Sequence, residues 1–416
     1  MYETQSSRGI CAIGGIYKMR IVVAAVSSNR SMSGVSRHAA NLINGLLMRG
    51  EVSALHLLVA PWEHKYVSDS IARTDSRLHI HAVPLRAGTL HRNLWYYRTL
   101  PGIAEQLRAD VVHFAYPSPI RASAFPCPTV VSLHDVYPYD IPSNFGFPKV
   151  LVNRMILRQC LQGANAIACV SDSTRLRLGV QMPEAVVKAV TINNCVESGP
   201  KPVKPPFVST WHDAPFLLCV AQHRRNKNVM VALQAFRRLI TSDDISQNTR
   251  LIVVGMPGPE SSHLYRFVRD AHLTEQVVFV NGISDAELQW CYRNCELLLA
   301  PSTLEGFGLP VLEAQFAGCR IVCSDIPAFR EAGGSGCRFV ELGPAAEERF
   351  AQAVVSTLRQ PRPAPAHLPN LAPGYVSQQY VRLYQLLLAA SGLKDNLLTI
   401  EPKSSLADEV PAPLRS

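Results

Sequence analysis

Two carboxylates and the segment between them carry the clearest chemistry in this chain. Glu305 and Glu313 bracket Gly306-Phe307-Gly308-Leu309-Pro310. Gly306 and Gly308 remove side chains where a ligand would approach the backbone. The N–H groups of Phe307, Gly308 and Leu309, at the start of a helix, form an anion site suited to phosphate. Acids beside such a site repel phosphate, so they serve other groups, and sugar hydroxyls are the natural target. Upstream, Arg224-Arg225-Asn226-Lys227 supplies cations at a strand-to-helix loop, an arrangement suited to a diphosphate. His134-Asp135 ends the strand-like segment Val130–Leu133, where active-site residues of α/β sheets collect.

The elements that must position these groups follow from apolar runs and their punctuation. Leu297–Ala300 reads as a strand buried on both faces, followed by the loop Ser302–Leu309. Pro310 suits the first residue of a helix that stops at Gly318, and Arg320–Ser324 starts the next strand. Near the other end, Arg20–Val26 is a strand, Ser27–Ser33 a polar loop, and Gly34 opens a helix that closes at Gly50. Gly34 there suits close approach of a phosphate or sugar. Strands are also expected at Leu55–Val59, Leu78–Val83, Val111–Phe114, Thr129–Leu133, Ala166–Val170, Phe216–Val220, Leu251–Gly255 and Val277–Val280. Their alternation with helical stretches predicts parallel sheets covered by helices on both faces. Ser198–Pro215, with five prolines, marks a linker. Beyond it, Ser284 and Glu287 form a capping box behind the turn at Gly282-Ile283.

The run PS-x-x-EGFGLP-x-x-EA-x-x-x-G-x-x-x-V-x-S-D, residues 301–325, resembles the Glu-x7-Glu motif of the retaining glycosyltransferases of family 4. The resemblance extends over residues 19–390 and is most specific over 297–336. It implies an α/β chain of the GT-B fold, two Rossmann-like domains with a cleft between them. The expected division is a disordered leader 1–18, an N-terminal acceptor-binding domain 19–200 and a linker 201–214. A nucleotide-sugar-binding domain 215–372, a C-terminal helix 373–391 returning to the first domain, and a disordered tail 392–416 complete it.

Carried over residue by residue, the resemblance places Glu313 on ribose hydroxyls and Glu305 on the donor sugar near its C3/C4 side. His134 contacts the donor sugar. Lys227 and a neighbouring arginine hold the diphosphate, with Arg225 preferred and Arg224 the alternative, and the backbone at Gly282 and Ile283 meets the base. Gly34 and the N–H groups of Phe307, Gly308 and Leu309 complete the donor site. Glu305, His134 and Lys227 are the catalytic candidates. The pattern is broken where Ser33-Gly34 replaces a Gly-Gly pair and Gln222 an arginine; Cys195 and Glu197 stand for glycine and aspartate, leaving Asn194 as a candidate cleft contact.

The activity so implied is transfer of a hexose, of mannose or glucose type, from a GDP- or UDP-sugar to a glycan or lipid-linked acceptor, in cell-surface polysaccharide or lipopolysaccharide synthesis. No cofactor and no metal is expected. A phosphorylase or nucleotide-sugar epimerase on the same fold, and a non-catalytic nucleotide-sugar-binding subunit, are the alternatives. Glu305, Lys227, Glu313 and His134 standing together weigh against the last.

Composition agrees with a globular, cytoplasmic chain. At 416 residues, 47% hydrophobic and 18% charged, it can bury two or three cores, and no apolar run approaches the ~20 residues of a membrane span. Residues 1–18 make a poor signal peptide. Eleven cysteines without a CxxC pair read as buried thiols in a reducing compartment. Of the net charge of +9, residues 19–200 hold most, with 18 Lys/Arg against 11 Asp/Glu. A basic first domain suits an anionic membrane or a phosphorylated acceptor. Phe147–Gln162, bearing Lys149, Arg154 and Arg158, is either a membrane-surface helix or one packed on the sheet. Aromatic–basic interleaving is absent, which argues against nucleic acid. No Asp-x-Asp, P-loop, GxGxxG, HExxH or GxSxG sequence occurs.

Overall fold

The computed structural model describes residues 18–28, 34–71, 74–196, 199–209, 211 and 214–398, with side chains to residue 392. Most of the leader, the end of the polar loop before Gly34, Glu197 and most of the tail lie outside the described residues.

Thirteen described strands form two sheets, all of whose pairings are parallel. The first contains β1 (Met19–Ala24), β2 (Val52–Val59), β3 (Leu78–Ala82), β4 (Val111–Phe114), β5 (Thr129–Leu133), β6 (Ala166–Cys169) and β7 (Ala189–Thr191) in the order β3-β2-β1-β4-β5-β6-β7. The second contains β8 (Phe216–Val220), β9 (Arg250–Val254), β10 (Val277–Val280), β11 (Leu297–Ala300), β12 (Ile321–Ser324) and β13 (Arg338–Val340) in the order β10-β9-β8-β11-β12-β13. Central strands are mostly apolar because helices cover both faces: every residue of β4, β5, β6, β11 and β12 is buried, the polar His113, Thr129, Ser132 and Ser324 among them. Two apolar clusters line the faces of the first sheet and two those of the second. The molecule is a GT-B fold of two Rossmann-like halves.

In each sheet the strand order reverses next to the first strand, between β1 and β4 and between β8 and β11. Ligands of open parallel sheets bind at such switch points, beyond the carboxyl ends of the strands. The loops after β8 and β11 meet the loop after β5 across the gap between the halves.

The last helix, Pro373–Leu398, crosses back to the first half. It buries Val376, Tyr380, Val381, Leu383 and Tyr384 in the cluster that also holds Ala39, Leu42, Ile43 and Leu46 of the helix Gly34–Leu46. Each such buried side chain contributes roughly 1.5–3 kcal/mol. The two helices approach closely at Gly45, where an added Cβ would lie 3.0 Å from the Pro373 carbonyl oxygen and the Ser377 Cβ.

Candidate active site

The loop after β8 carries a single 3-10 turn, Arg225–Lys227, and Asn228, in the left-handed region at φ 51°, redirects the chain into the helix Val229–Thr241. This delivers Lys227 to the loop after β11. Its Nζ stands 2.7 Å from both Oε1 and Oε2 of Glu305, and Ser302 Oγ donates to Oε1 at 2.7 Å. The Glu305 side chain is 8% exposed and that of Lys227 20%, so the pair is largely withdrawn from water. Asn226 stitches the two loops by accepting from the Thr303 N–H at 2.8 Å and donating through Nδ2 to the Leu304 carbonyl at 3.2 Å.

Glu313 lies one turn into the helix Leu309–Phe316, which opens at Gly308 with φ 94° and carries Pro310 in its first turn. Burial raises the Glu313 pKa; the Arg37 cation and the Tyr292 hydroxyl, which donates at 2.9 Å, oppose that rise. Arg37 comes from the other half, its Nη1 3.8 Å from Glu313 Oε1 and its Nη2 2.6 Å from Asp285 Oδ1. Asp285 begins the helix Asp285–Asn294, whose capping box between Ser284 and Glu287 is complete. Gly282, at φ 70°, precedes it, and Ile283 packs partly buried beside that half's core.

His134 follows β5 and donates from Nε2 to the Ala115 carbonyl at 2.8 Å, which fixes the proton on Nε2 of a ring kept neutral by burial. Asp135 Oδ1 accepts from the Tyr137 N–H at 3.0 Å, and burial brings its pKa up to about 6. That side chain shapes its own loop.

The two halves are closed on one another. A Cβ at Gly306 would sit 1.9 Å from the His134 carbonyl oxygen, and Thr174 Oγ1 donates to the Gly306 carbonyl at 3.0 Å, as does Ser171 Oγ. Glu331 of the second half accepts from the Asp172 and Ser173 N–H groups at 2.9 and 3.0 Å and from Asn193 Nδ2 at 3.2 Å. This corrects the expectation for the two glycines. At Gly306 the space is used by the other domain's backbone. At Gly308 the backbone is left-handed, and an added Cβ would stand 3.0 Å from Phe329.

The remaining candidates separate. Among the described residues the N–H groups of Phe307, Gly308 and Leu309 have no protein partner, while the Phe307 side chain is core. Both arginines are exposed; Arg224 is the one whose charge acts on Asp135 and Tyr137 across the cleft, while Arg225 begins the 3-10 turn. Gly34 starts its helix with open space where a Cβ would be, so packing does not demand glycine there. Asn194 is buried and bonds to His38 Nδ1 at 2.6 Å. Arg37, Tyr292, Ser302 and Glu331 were missed as site residues. Only Ser302 had a local signal, standing three residues before Glu305. The described residues include no group of three or more His, Cys, Asp or Glu arranged to hold a metal ion.

Residues 205–368 match the family described as Glycosyl transferases group 1, and residues 32–198 match Glycosyltransferase Family 4. Together they account for both halves of the fold. The chain belongs to glycosyltransferase family 4. Among relatives, the O-antigen chain mannosyltransferase B of Escherichia coli is 23% identical over 340 residues, 76% of this chain and 85% of that one. Two solved structures are similar over 92% of this chain and 100% of their own. WaaG, a glycosyltransferase involved in lipopolysaccharide biosynthesis, superposes with a TM-score of 0.61 at 18% identity. Anabaena Alr3699/HepE, in complex with UDP and glucose, superposes with a TM-score of 0.60 at 14% identity. As a family 4 glycosyltransferase the chain is a transferase, and its Glu-x7-Glu acids are Glu305, in the loop after β11, and Glu313, in the helix that follows.

Proposed function

We propose that this chain transfers a hexose from a nucleoside-diphosphate sugar to a hydroxyl of a glycan or lipid-linked acceptor, with retention at the anomeric carbon, in cell-surface polysaccharide synthesis. The observation that carries the reading is the Lys227–Glu305–Ser302 cluster standing beside the unpartnered N–H groups at Phe307–Leu309. A cation, a carboxylate and a helix start converge there on one loop, as a diphosphate joined to a sugar requires. The mannosyltransferase relative supports mannose as the first hexose to try, and the neighbour solved in complex with UDP and glucose supports a nucleotide-linked donor. GDP- and UDP-sugars are both donor candidates.

In the reaction the bond from the anomeric carbon to the diphosphate oxygen breaks, and one to the acceptor oxygen forms on the same face. The leaving diphosphate gains negative charge and takes the acceptor proton. Lys227, Arg224 and the loop N–H groups stabilise that charge, electrostatic help worth roughly 2.7–4 kcal/mol for one well-placed donor. Lys227 exchanges one Glu305 oxygen for phosphate, which frees that carboxylate to accept from donor-sugar hydroxyls. Glu313, steadied by Tyr292, accepts from the ribose hydroxyls, and the turn at Gly282-Ile283 meets the base. This assignment needs no resident metal.

The acceptor side suits a membrane edge. On the helix Lys149–Gly163, Leu151 and Met155 are exposed on one face, as is Phe147 just before it, with Lys149 and Arg158 beside them. Such a face lies in the headgroup layer of an anionic bilayer. No helix among the described residues is long and apolar enough to cross a membrane. Peripheral contact at the cytoplasmic face follows from this reading.

The test is a transfer assay with GDP-mannose, UDP-glucose and UDP-galactose against lipid-linked oligosaccharide, with and without a chelator. Stereochemistry is read by NMR of the product. Turnover with one donor, insensitive to chelator and with retained configuration, is expected. Nucleotide binding without any transfer points instead to a non-catalytic subunit.

A further inference from the structure

Behind the cleft of the first half runs a polar network that the proposed chemistry does not use. His113 of β4 has Nδ1 2.6 Å from the Tyr384 hydroxyl and Nε2 2.8 Å from Ser132 Oγ. His38, from the helix Gly34–Leu46, has Nε2 2.9 Å from the same Ser132 Oγ and Nδ1 2.6 Å from Asn194 Oδ1. His38, His113, Ser132, Asn194 and Tyr384 are all buried. Buried polar groups persist where their partners are complete, and here the proton count decides every donor.

An amide oxygen only accepts, so His38 Nδ1 carries the proton. Burial keeps both rings neutral, holding His113 down to about 3 and His38 well below its ordinary value. His38 Nε2 is therefore bare and accepts from the Ser132 hydroxyl. That hydroxyl has one proton, so His113 Nε2–H donates to Ser132. His113 Nδ1 is then bare and accepts from the Tyr384 hydroxyl. The chain runs one way, Tyr384 to His113 to Ser132 to His38 to Asn194, with the two histidines in opposite tautomers. The Tyr380 hydroxyl, 3.4 Å from Ser132 Oγ, faces a remaining lone pair.

The network touches the cleft at one ring. His38 packs edge-on against His134, with ring centroids 4.7 Å apart and planes at 86°. The other restraint on His134, the Ala115 carbonyl, follows directly on the strand that carries His113. His134 is thus held by two elements, and the chain ties both to the returning helix.

We propose that His38 is a positioning residue for His134 and that the chain from Tyr384 to Asn194 makes the returning helix a working part of the donor-sugar subsite. The functional consequence rests on the sugar-transfer reading above. A nucleoside diphosphate lacks the sugar that His134 would contact, so the chain governs turnover and leaves affinity for that fragment unchanged.

The test begins with the wild-type chain labelled with 15N-histidine, its ring signals assigned by single His→Gln variants. Near neutral pH, His38 is expected neutral with its proton on Nδ1, and His113 neutral with its proton on Nε2. The same tautomer in both rings, or a protonated ring, overturns the chain. The second arm is Tyr384→Phe, which removes the first donor while keeping the ring. Its kcat is expected to fall on the order of tenfold, with GDP and UDP affinity unchanged and the His38 and His134 signals displaced. Unchanged kcat and unchanged signals overturn the proposal. Should the wild-type chain transfer no sugar, the functional reading fails, whereas the tautomer pair and the His134 displacement still decide the positioning claim.

Discussion

At the scale of single residues, the charges of the cleft already have partners before any ligand arrives. Glu305 is not a solvated loop acid. It takes Lys227 and Ser302 in a setting largely closed to water, and a carboxylate held that way is ready to exchange one partner for a sugar hydroxyl. Glu305→Gln keeps the shape and an acceptor oxygen but loses the charge that orders Lys227. Turnover is expected to fall on the order of a hundredfold or more, with the thermal midpoint little changed, as an assay and a melting curve on the same preparation will show. Tyr292→Phe acts on the proposed ribose contact. Removing the hydroxyl takes away one of the two influences that lower the Glu313 pKa, so the carboxylate protonates at higher pH. Nucleotide affinity is expected to weaken on the order of tenfold and to fall away at a higher pH than in the wild type, measured by titration across pH. Much of this was legible in the sequence: the two acids, Lys227 and His134 were singled out by spacing alone or by resemblance. Arg37 and Glu331 were not, because their partners Asp285 and Asp172–Ser173 lie in the other half of the chain, where no local pattern points to them.

Helices, strands and loops were the easiest to read. Strands buried on both faces appear as apolar runs, and β4, β5, β8, β10 and β11 have the bounds their residues suggested. The capping box at Ser284 is side-chain chemistry within one turn, and was legible because all its parts are local. The helix after the acidic loop begins at Leu309 rather than Pro310, because Gly308 supplies the left-handed residue that turns the chain into it. The purpose of Gly306 was misread for a physical reason. A missing side chain looks the same in sequence whether a ligand or another backbone fills the space. The structure puts the His134 carbonyl there, which makes Gly306→Ala a test of closure. Its Cβ cannot coexist with the observed approach, so the halves must stand further apart. Nucleotide affinity, which the proposed donor site places on the second half alone, is expected to persist while kcat collapses; equal turnover in this variant would show that closure at Gly306 is not needed.

The whole molecule carries its histidines as a liability toward acid. His38, His113 and His134 in the first core, and His56 and His81 on its outer strands, all have pKa values below the ordinary value, with burial the first cause in each. His113 falls to about 3 and His56 to about 4. The unfolded chain binds protons at these rings near the ordinary value of 6.5 while the folded chain refuses them. Stability is therefore complete above that pH and is lost as pH falls from it toward the folded values, by up to about 1.4 kcal/mol per pH unit per ring. The thermal midpoint is expected to drop steeply between about pH 6.5 and pH 4.5, and an unchanged midpoint over that window would mean the rings are not held neutral. Glu331 binds the halves by taking two backbone N–H groups at the head of the helix Asp172–Gln181. Glu331→Ala removes the clasp, and small-angle scattering of the free chain is expected to report a larger radius of gyration.

The central claim is that the second half binds a nucleoside-diphosphate sugar through Lys227 and the loop from Glu305 to Leu309. Calorimetric titration of the wild-type chain and Lys227→Ala with UDP, GDP, UDP-glucose and GDP-mannose, in the presence of EDTA, tests it most directly. One nucleotide is expected to bind without metal, and Lys227→Ala to weaken it on the order of tenfold. No binding of any nucleotide, or equal binding by the two chains, would contradict it.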